Sequence, residues 1–230
     1  MDRFLLAFER RLAEEVHPSR HAAYSERLRH SPFYRQAELR LGQLAEMNLD
    51  AAPPDSDRNR VMQVAFEDLL DFFIVLHCRD LNEVTFQETI LRWQGLPLED
   101  IRLADMVADH LDFGAEFDRV YTEFVSMPPD KLKNAASAFL FPQKKETIFF
   151  ISNLSLLGNF REGYAMTDQC LYWKMPMEKS QRVYYRNLEE IRRQAGGWIT
   201  VNGIFFDAGT GINLKMIRLL KRLRLLFQRK

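Results

Sequence analysis

Apolar residues at the start of the chain recur at three- and four-residue steps. Met1, Phe4, Leu5, Phe8, Leu12 and Val16 line one face of a helix that ends near His17-Pro18, with Arg10, Arg11, Glu14 and Glu15 turned largely to water. Ser31-Pro32 has the order of an N-cap and a first-turn proline, and Phe33, Ala37, Leu41 and Leu44 carry a second stripe towards Met47. The prolines of residues 51–57 break the pattern, and their acidic and hydroxyl neighbours cap the next helix. From Arg58 to about Cys78 apolar residues occupy most of the helical circumference, which predicts the central helix of a bundle. Asp80 and Glu83 have capping-box spacing and open a helix through Leu91 and Trp93 that Gly95 ends. Two more helices are expected at about Leu98 to His110 and Ala115 to Val125, and a short connector follows Met127-Pro128-Pro129-Asp130 through Leu132, Ala136 and Leu140.

After Pro142 the period changes. Short β-branched and aromatic runs predict strands at Thr147 to Ile151, Gly163 to Met166, Leu171 to Lys174, Arg182 to Tyr185, Trp198 to Val201 and Ile204 to Asp207. Asn202-Gly203 between the last two is a hairpin signal, because both residues tolerate the positive φ of a tight turn. Beyond Gly209 and Gly211, a stripe of Ile212, Met216, Leu219, Leu220, Leu223, Leu226 and Phe227 marks a final helix. The expected fold class is therefore α+β in two domains: an all-α bundle over residues 1–140, then a small antiparallel barrel or sandwich over 141–230 capped by the C-terminal helix.

The segment GYAMTDQCLYWK, followed by the Asn-Gly hairpin and the terminal helix, resembles bacterial pleckstrin-homology-like (PH-like) domains. The resemblance covers about residues 142–230 and rests on the Thr167-Asp168 turn, the aromatic pair Tyr172-Trp173 and the closing helix. It implies a barrel plugged by that helix. Domains of this kind bind lipids, dock proteins or serve as scaffolds, so the resemblance points to a fold more than to one function.

Charge sharpens the division. The 230-residue chain is neutral overall, yet residues 1–133 hold 25 acids and 16 bases, while residues 134–230 hold 7 acids and 16 bases. Lys215, Arg218, Lys221, Arg222, Arg224, Arg229 and Lys230 lie within the last sixteen residues with no carboxylate among them. Leu214, Ile217 and Leu225 fall among these cations. Lys215, Arg218, Lys221, Arg222, Arg224 and Leu225 are thus the expected binding surface, suited first to an acidic protein, then to an anionic membrane surface, and least to nucleic acid, which the acidic half repels.

Other chemistry is sparse. Glu67, Asp68 and Asp71 share an arc of the central helix, and Asp105, Asp109 and Asp112 line an edge of a later one; either set could hold metal, but pairing with Arg58, Arg60, Arg79, Arg92 or Arg102 is the simpler expectation. His110 reads as a satisfied core residue, and His17, His21 and His30 as helix caps or bridges. The glycine-rich turn from Asp207 to Gly211 could present N–H groups to an anion or simply supply backbone freedom. Trp93, Phe113, Phe117, Tyr121 and Phe124 could line a pocket, with core packing the default. Cys78 and Cys170 read as buried thiols. Together these features describe a non-enzymatic adaptor or regulator without cofactor or metal, placed in the cytoplasm or peripherally at the inner membrane face. A metal-dependent enzyme using Asp68 or Asp109 on a small or phosphorylated substrate is the alternative.

Overall fold

The structure, a computed structural model, describes residues 1–50, 55–114, 119–123 and 125–228, with the backbone alone at 48–50 and 55–57. Ala51 to Pro54, Phe117, Phe124, Arg229, Lys230 and the opening turn of the helix expected from Ala115 lie outside the described residues. The chain divides into two compact units, Met1–Asp100 and Ile101–Lys230, where the periodicity places the break near 140. The asymmetry of charge follows this division: residues 1–100 carry 18 acids and 12 bases, residues 101–230 carry 14 and 20.

The first unit is helical: α1 (Asp2–Glu15), α2 (His21–His30), α3 (Pro32–Asp50) and α4 (Asp55–Phe72), with a π-helical turn at Phe73–His77. The expected stripes are the buried ones. Phe4, Phe8 and Leu12 of α1 meet Leu69, Leu70 and Phe73, and Phe4 and Phe8 stand edge-on to Phe66 and Phe73 with ring centroids 5.8 and 5.9 Å apart. Each such side chain contributes about 1.5–3 kcal/mol by leaving water. Ser31 Oγ accepts from the Phe33 N–H at 3.1 Å, and His17 Nδ1 accepts from Ser19 N–H at 3.3 Å, so both boundaries are capped by their own side chains.

Two expectations fail here for electrostatic reasons. Arg11, expected to face water, is 3% exposed, and its guanidinium pairs with Glu15, Glu67 and Asp71. The partner of Glu67 and Asp71 is thus an arginine of α1, outside the five arginines that the sequence suggests. Burial alone would lower the affinity of Arg11 for its proton, but the three carboxylates outweigh it and hold the pKa well above the ordinary value. The Asp80 capping box also does not form. Arg27 takes both Asp80 oxygens at 2.9 and 2.7 Å, which draws the Asp80 pKa below its usual range. The chain turns instead, Leu81 and Asn82 N–H donating to the Cys78 carbonyl, and only a 3₁₀ segment forms at Glu88–Trp93 before Gly95 (φ +70°).

The second unit opens with α5 (Leu103–Leu111), preceded by a 3₁₀ turn at Leu98–Asp100 that ends the first unit. A five-stranded antiparallel sheet follows among the described residues, in the order β1 (Val120–Tyr121), β2 (Ile148–Asn153), β3 (Gly163–Thr167), β4 (Cys170–Lys174) and β5 (Gln181–Tyr184). The short helix α6 (Pro129–Ala138) links β1 to β2, beginning at the prolines as expected. A second sheet holds β6 (Ile191–Arg193), β7 (Ile199–Val201) and β8 (Ile204–Phe206), and α7 (Thr210–Phe227) ends the unit. All six expected strands form. Val120–Tyr121, expected in a helix, instead adds an edge to β2, and Ile191–Arg193 is a strand with too little alternation to be seen.

Specific contacts join the layers. Trp173 Nε1 donates to the Phe205 carbonyl at 2.9 Å, tying the two sheets, and Tyr164 and Trp173 both stand edge-on to Phe206. At Asn202-Gly203 both φ angles are positive, 51° and 77°, as the hairpin requires. Asn202 does more: its Oδ1 accepts from Glu189 and Glu190 N–H, and its Nδ2 donates to the Asn187 carbonyl, which pins the approach to β6. Gly163 is needed for space, because a Cβ there would lie 2.0 Å from the Ser152 carbonyl oxygen.

Arg11→Met is expected to cost about 3–5 kcal/mol in chemical denaturation, since it leaves three carboxylates around an uncharged side chain. Arg11→Lys should recover only part of that loss, because one ammonium cannot reproduce the planar fork.

Candidate functional site

Helix α7 does not offer the expected basic face. Arg218, Lys221 and Arg222 are buried, as are Leu214 and Ile217, and none of the three cations is free. Lys215 is half-buried and pairs with Asp112 at 3.4 Å while donating to its carbonyl at 3.1 Å. Arg224 donates to the Glu189 carbonyl at 2.6 Å, and Leu225 is half-buried. The physical reason is that α7 packs against β6 and the 3₁₀ turn Tyr185–Asn187 as well as against α5. The apolar residues scattered among the cations belong to a helix buried on nearly its whole circumference.

The glycine-rich turn before α7 is likewise engaged. Asp207 Oδ1 accepts from Gly209 N–H at 3.0 Å and from Asn213 Nδ2 at 2.8 Å, while Asn213 Oδ1 accepts from Ala208 N–H. A carboxylate of the chain therefore stands where an external anion would sit. His110 is buried with Nδ1 2.7 Å from the Met106 carbonyl, and His17, His21 and His30 all bond at helix boundaries. Phe113 and Tyr121 pack edge-on against Phe150 and Phe160 rather than around a pocket. In the first unit, a groove of about 720 Å³ runs between Glu26, Arg27, His30, Leu76, His77 and Leu81, with Arg27 already committed to Asp80.

The exposed chemistry lies at one end of the five-stranded sheet. Asn153 pairs with Gly163, and Gly163 pairs with Lys174, so the β2–β3 and β4–β5 turns leave the sheet on the same side. With neighbouring strands about 5 Å apart, the two turns are close neighbours. Leu156 and Leu157 cap the first turn at 100% and 88% exposure, and Met177 caps the second at 103%.

Neither turn is loose. Asn153 and Ser155 are buried, and Asn153 Oδ1 accepts from Ser155 N–H, Ser155 Oγ–H and Phe160 N–H at 3.3, 2.6 and 3.1 Å. Ser155 Oγ also accepts from Asn159 N–H, and Asn134 of α6 donates to the Asn159 carbonyl. Phe160 is buried at φ +60° and anchors the loop below its tip. In the second turn Pro176 precedes Met177, which has φ +63°, and Glu178 N–H closes back on the Met175 carbonyl. Glycine or asparagine normally supplies that third turn position. A large apolar side chain is held there against local preference.

Around the tips, Arg161 is exposed on the first hairpin and Lys174 and Lys179 flank the second. Lys131 Nζ lies 5.5 Å from the centre of the Phe160 ring, and Arg119 immediately precedes Val120, which pairs with Ser152. Asp130, Glu162 and Glu178 are the opposing acids among the described residues at this end.

The far end of the sheet is closed and polar. Thr167 Oγ1 accepts from Gln169 and Cys170 N–H and donates to Glu146, which also accepts from the Tyr172 hydroxyl. Tyr185 donates to the Thr167 and Cys170 carbonyls from a buried position. Burial, with Glu146 nearby, pushes the Cys170 thiol up to about 12 and raises the Tyr172 hydroxyl as well. No family model, no curated protein and no solved structure matches this chain.

Sequence reasoning missed the apolar tips. The adjacent leucines at 156 and 157 next to Gly158-Asn159, and a methionine directly after Pro176, were the available signals.

Asn153→Ala removes one acceptor from three donors, two of them backbone N–H groups, and is expected to lower stability by about 1–3 kcal/mol in thermal or denaturant melts. Cys170 should resist iodoacetamide in native protein at mildly alkaline pH and react readily once unfolded. Because folding raises this pKa, its contribution to stability is present below about pH 9 and is lost as pH rises towards about 12, which an alkaline melting series on the wild type and Cys170→Ala would register.

Proposed function

We propose that the chain is a non-enzymatic binding protein, an adaptor or regulator whose second unit is a PH-like docking module. The reading is supported by strand order: β2 to β5 pair consecutively in one sheet, β6 to β8 in another, and a helix follows and packs on the second. The observation that carries it is the pair of built turns holding Leu156, Leu157 and Met177 in water at one end of the sheet. Large apolar side chains gathered on one exposed rim mark interaction surfaces more often than solitary ones do. The docking surface in this proposal is therefore the sheet end, in place of the α7 cations.

The acidic first unit is the place for a second partner, with the groove beside Arg27, His30 and His77 as its concave surface. No helix among the described residues is long and apolar enough to cross a membrane.

The test compares affinity capture from native extract, solubilised in mild detergent, by full-length wild type and by the Leu156→Ser/Leu157→Ser/Met177→Ser variant. The substitutions are on exposed tips and are expected to leave the melting temperature within a few degrees of wild type. A stoichiometric component retained by the wild type and lost by the variant supports the proposal. Identical capture by both proteins overturns it.

A further inference from the structure

We infer that the groove between α2 and the π-helical turn of the first unit takes an acidic segment of a partner protein, with an apolar side chain seated in the groove and carboxylates beside it; this deepens the second-partner reading above and rests on it. Shape comes first. Ala23, Glu26, Arg27 and His30 have the i, i+3, i+4, i+7 spacing of one helix face, so the groove follows α2 for about 10 Å. Its apolar lining is Ala23, Pro32, Leu76 and Leu81, and the small side chain at 23 leaves the space open. The opposite wall includes the end of the π-helical turn, a geometry found frequently at functional sites. His77 ends that turn half-buried, its ring 5.5 and 5.9 Å from those of Phe33 and Phe73.

Charge makes the second argument. The first unit is acidic, but residues 17–40 hold five arginines and two glutamates, against seven arginines and 16 acids over the rest of residues 1–100. Arg27 is committed to Asp80, while Arg29 is exposed beside His30, and Arg35 is exposed one helical turn beyond Pro32. Glu26 is the opposing acid in the groove lining. His30 Nδ1 lies 3.0 Å from the Glu26 carbonyl, which leaves Nε2 for a partner, and Ser31 Oγ accepts from Phe33 N–H while keeping its own proton to donate. An acidic segment is thus attracted to this rim and repelled by the remainder of the unit, which is how charge selects one docking place over others.

Rigidity is the third. Side chains reach across to fix the far wall: Arg20 donates to the Leu81 carbonyl at 2.6 Å, Tyr24 to Asn82 Oδ1 at 2.8 Å and Arg27 to the His77 carbonyl at 2.8 Å. Asn82 Nδ2 in turn donates to the Ile74 carbonyl within the π-helical turn at 2.9 Å. The two walls are held apart at a set spacing before any partner arrives, so little ordering remains to oppose binding.

The experiment is fluorescence anisotropy of the full-length chain with labelled synthetic peptide pools: a Leu or Phe anchor flanked by Asp and Glu, the same anchor flanked by Lys, and the acidic pool with Ser in place of the anchor. Binding is expected to the anchored acidic pool above the other two, and reduced as salt screens the rim. Ala23→Trp, which fills the groove from an exposed helix position, and His30→Glu should each weaken it about tenfold, with melting temperatures within a few degrees of wild type. The Leu156→Ser/Leu157→Ser/Met177→Ser variant, altered in the second unit, should bind the pool as wild type does. Equal binding of the acidic pool by wild type and Ala23→Trp would overturn the inference, as would no preference over the Lys or Ser pool, or equal loss in the sheet-tip variant. Capture from native extract by wild type and Ala23→Trp separates the two levels. If Ala23→Trp loses a stoichiometric component while the acidic pool is not preferred, the acidic assignment falls and the second-partner reading stands. If neither pools nor extract distinguish Ala23→Trp from wild type, both fall.

Discussion

The burial of α7 governs the second unit. An eighteen-residue helix that closes a three-stranded sheet on one side would be expected to show water its other side, but here α5 packs on it too, and Leu214, Ile217 and Leu223 are all buried. A helix buried this completely must hold its cations internally, and it does: Lys215 goes to Asp112 and Arg224 to the Glu189 carbonyl, while Arg218, Lys221 and Arg222 are engaged within the fold. The same packing draws Ile101 to Leu111 into the second unit. It leaves Leu156, Leu157 and Met177 on the turns at the end of the larger sheet, rather than the apolar residues of the helix, exposed to water.

The first unit solves a comparable problem with arginine. Glu15, Glu67 and Asp71 converge at the join of α1 and α4, and a single guanidinium presents enough N–H groups in one plane to meet all three. A carboxylate arc on an apolar helix resembles a metal site in one dimension, yet its counter-charge comes from the neighbouring helix. Such a buried pair adds little net stability over apolar packing, but it fixes how α1 and α4 register, because any slide would strand a charge away from water.

The two ends of the five-stranded sheet illustrate a division between holding and presenting. At one end Thr167, Glu146, Tyr172 and Tyr185 satisfy one another and bury their polar atoms around Cys170, which keeps the β3–β4 turn closed. At the other, equally satisfied polar groups lie beneath leucines and a methionine that nothing within the fold covers. A turn pinned by buried polar side chains such as Asn153 and Ser155 can carry exposed apolar residues without collapsing over them.

Local rules account for the legible part of the fold. The Ser31-Pro32 start, the Asn202-Gly203 hairpin, the terminal helix and the six strands after Pro142 are short-range effects of capping, positive φ and residue alternation, and all appear in place. Val120–Tyr121 has neighbours with helical spacing, but pairing with β2 overrides that preference, and Ile191–Arg193 is a strand only because β7 lies beside it. The side-chain assignments fail for the same reason. Arg11 faces solvent on an isolated helix, and the cations of α7 form a surface on another; whether a charge meets water or a partner depends on which element packs across from it. Sequence by itself determined the order and type of most elements, since those depend on neighbours a few residues away. Tertiary structure alone decided which charges are buried and which apolar side chains remain in water, because burial is a property of surfaces brought together from distant parts of the chain.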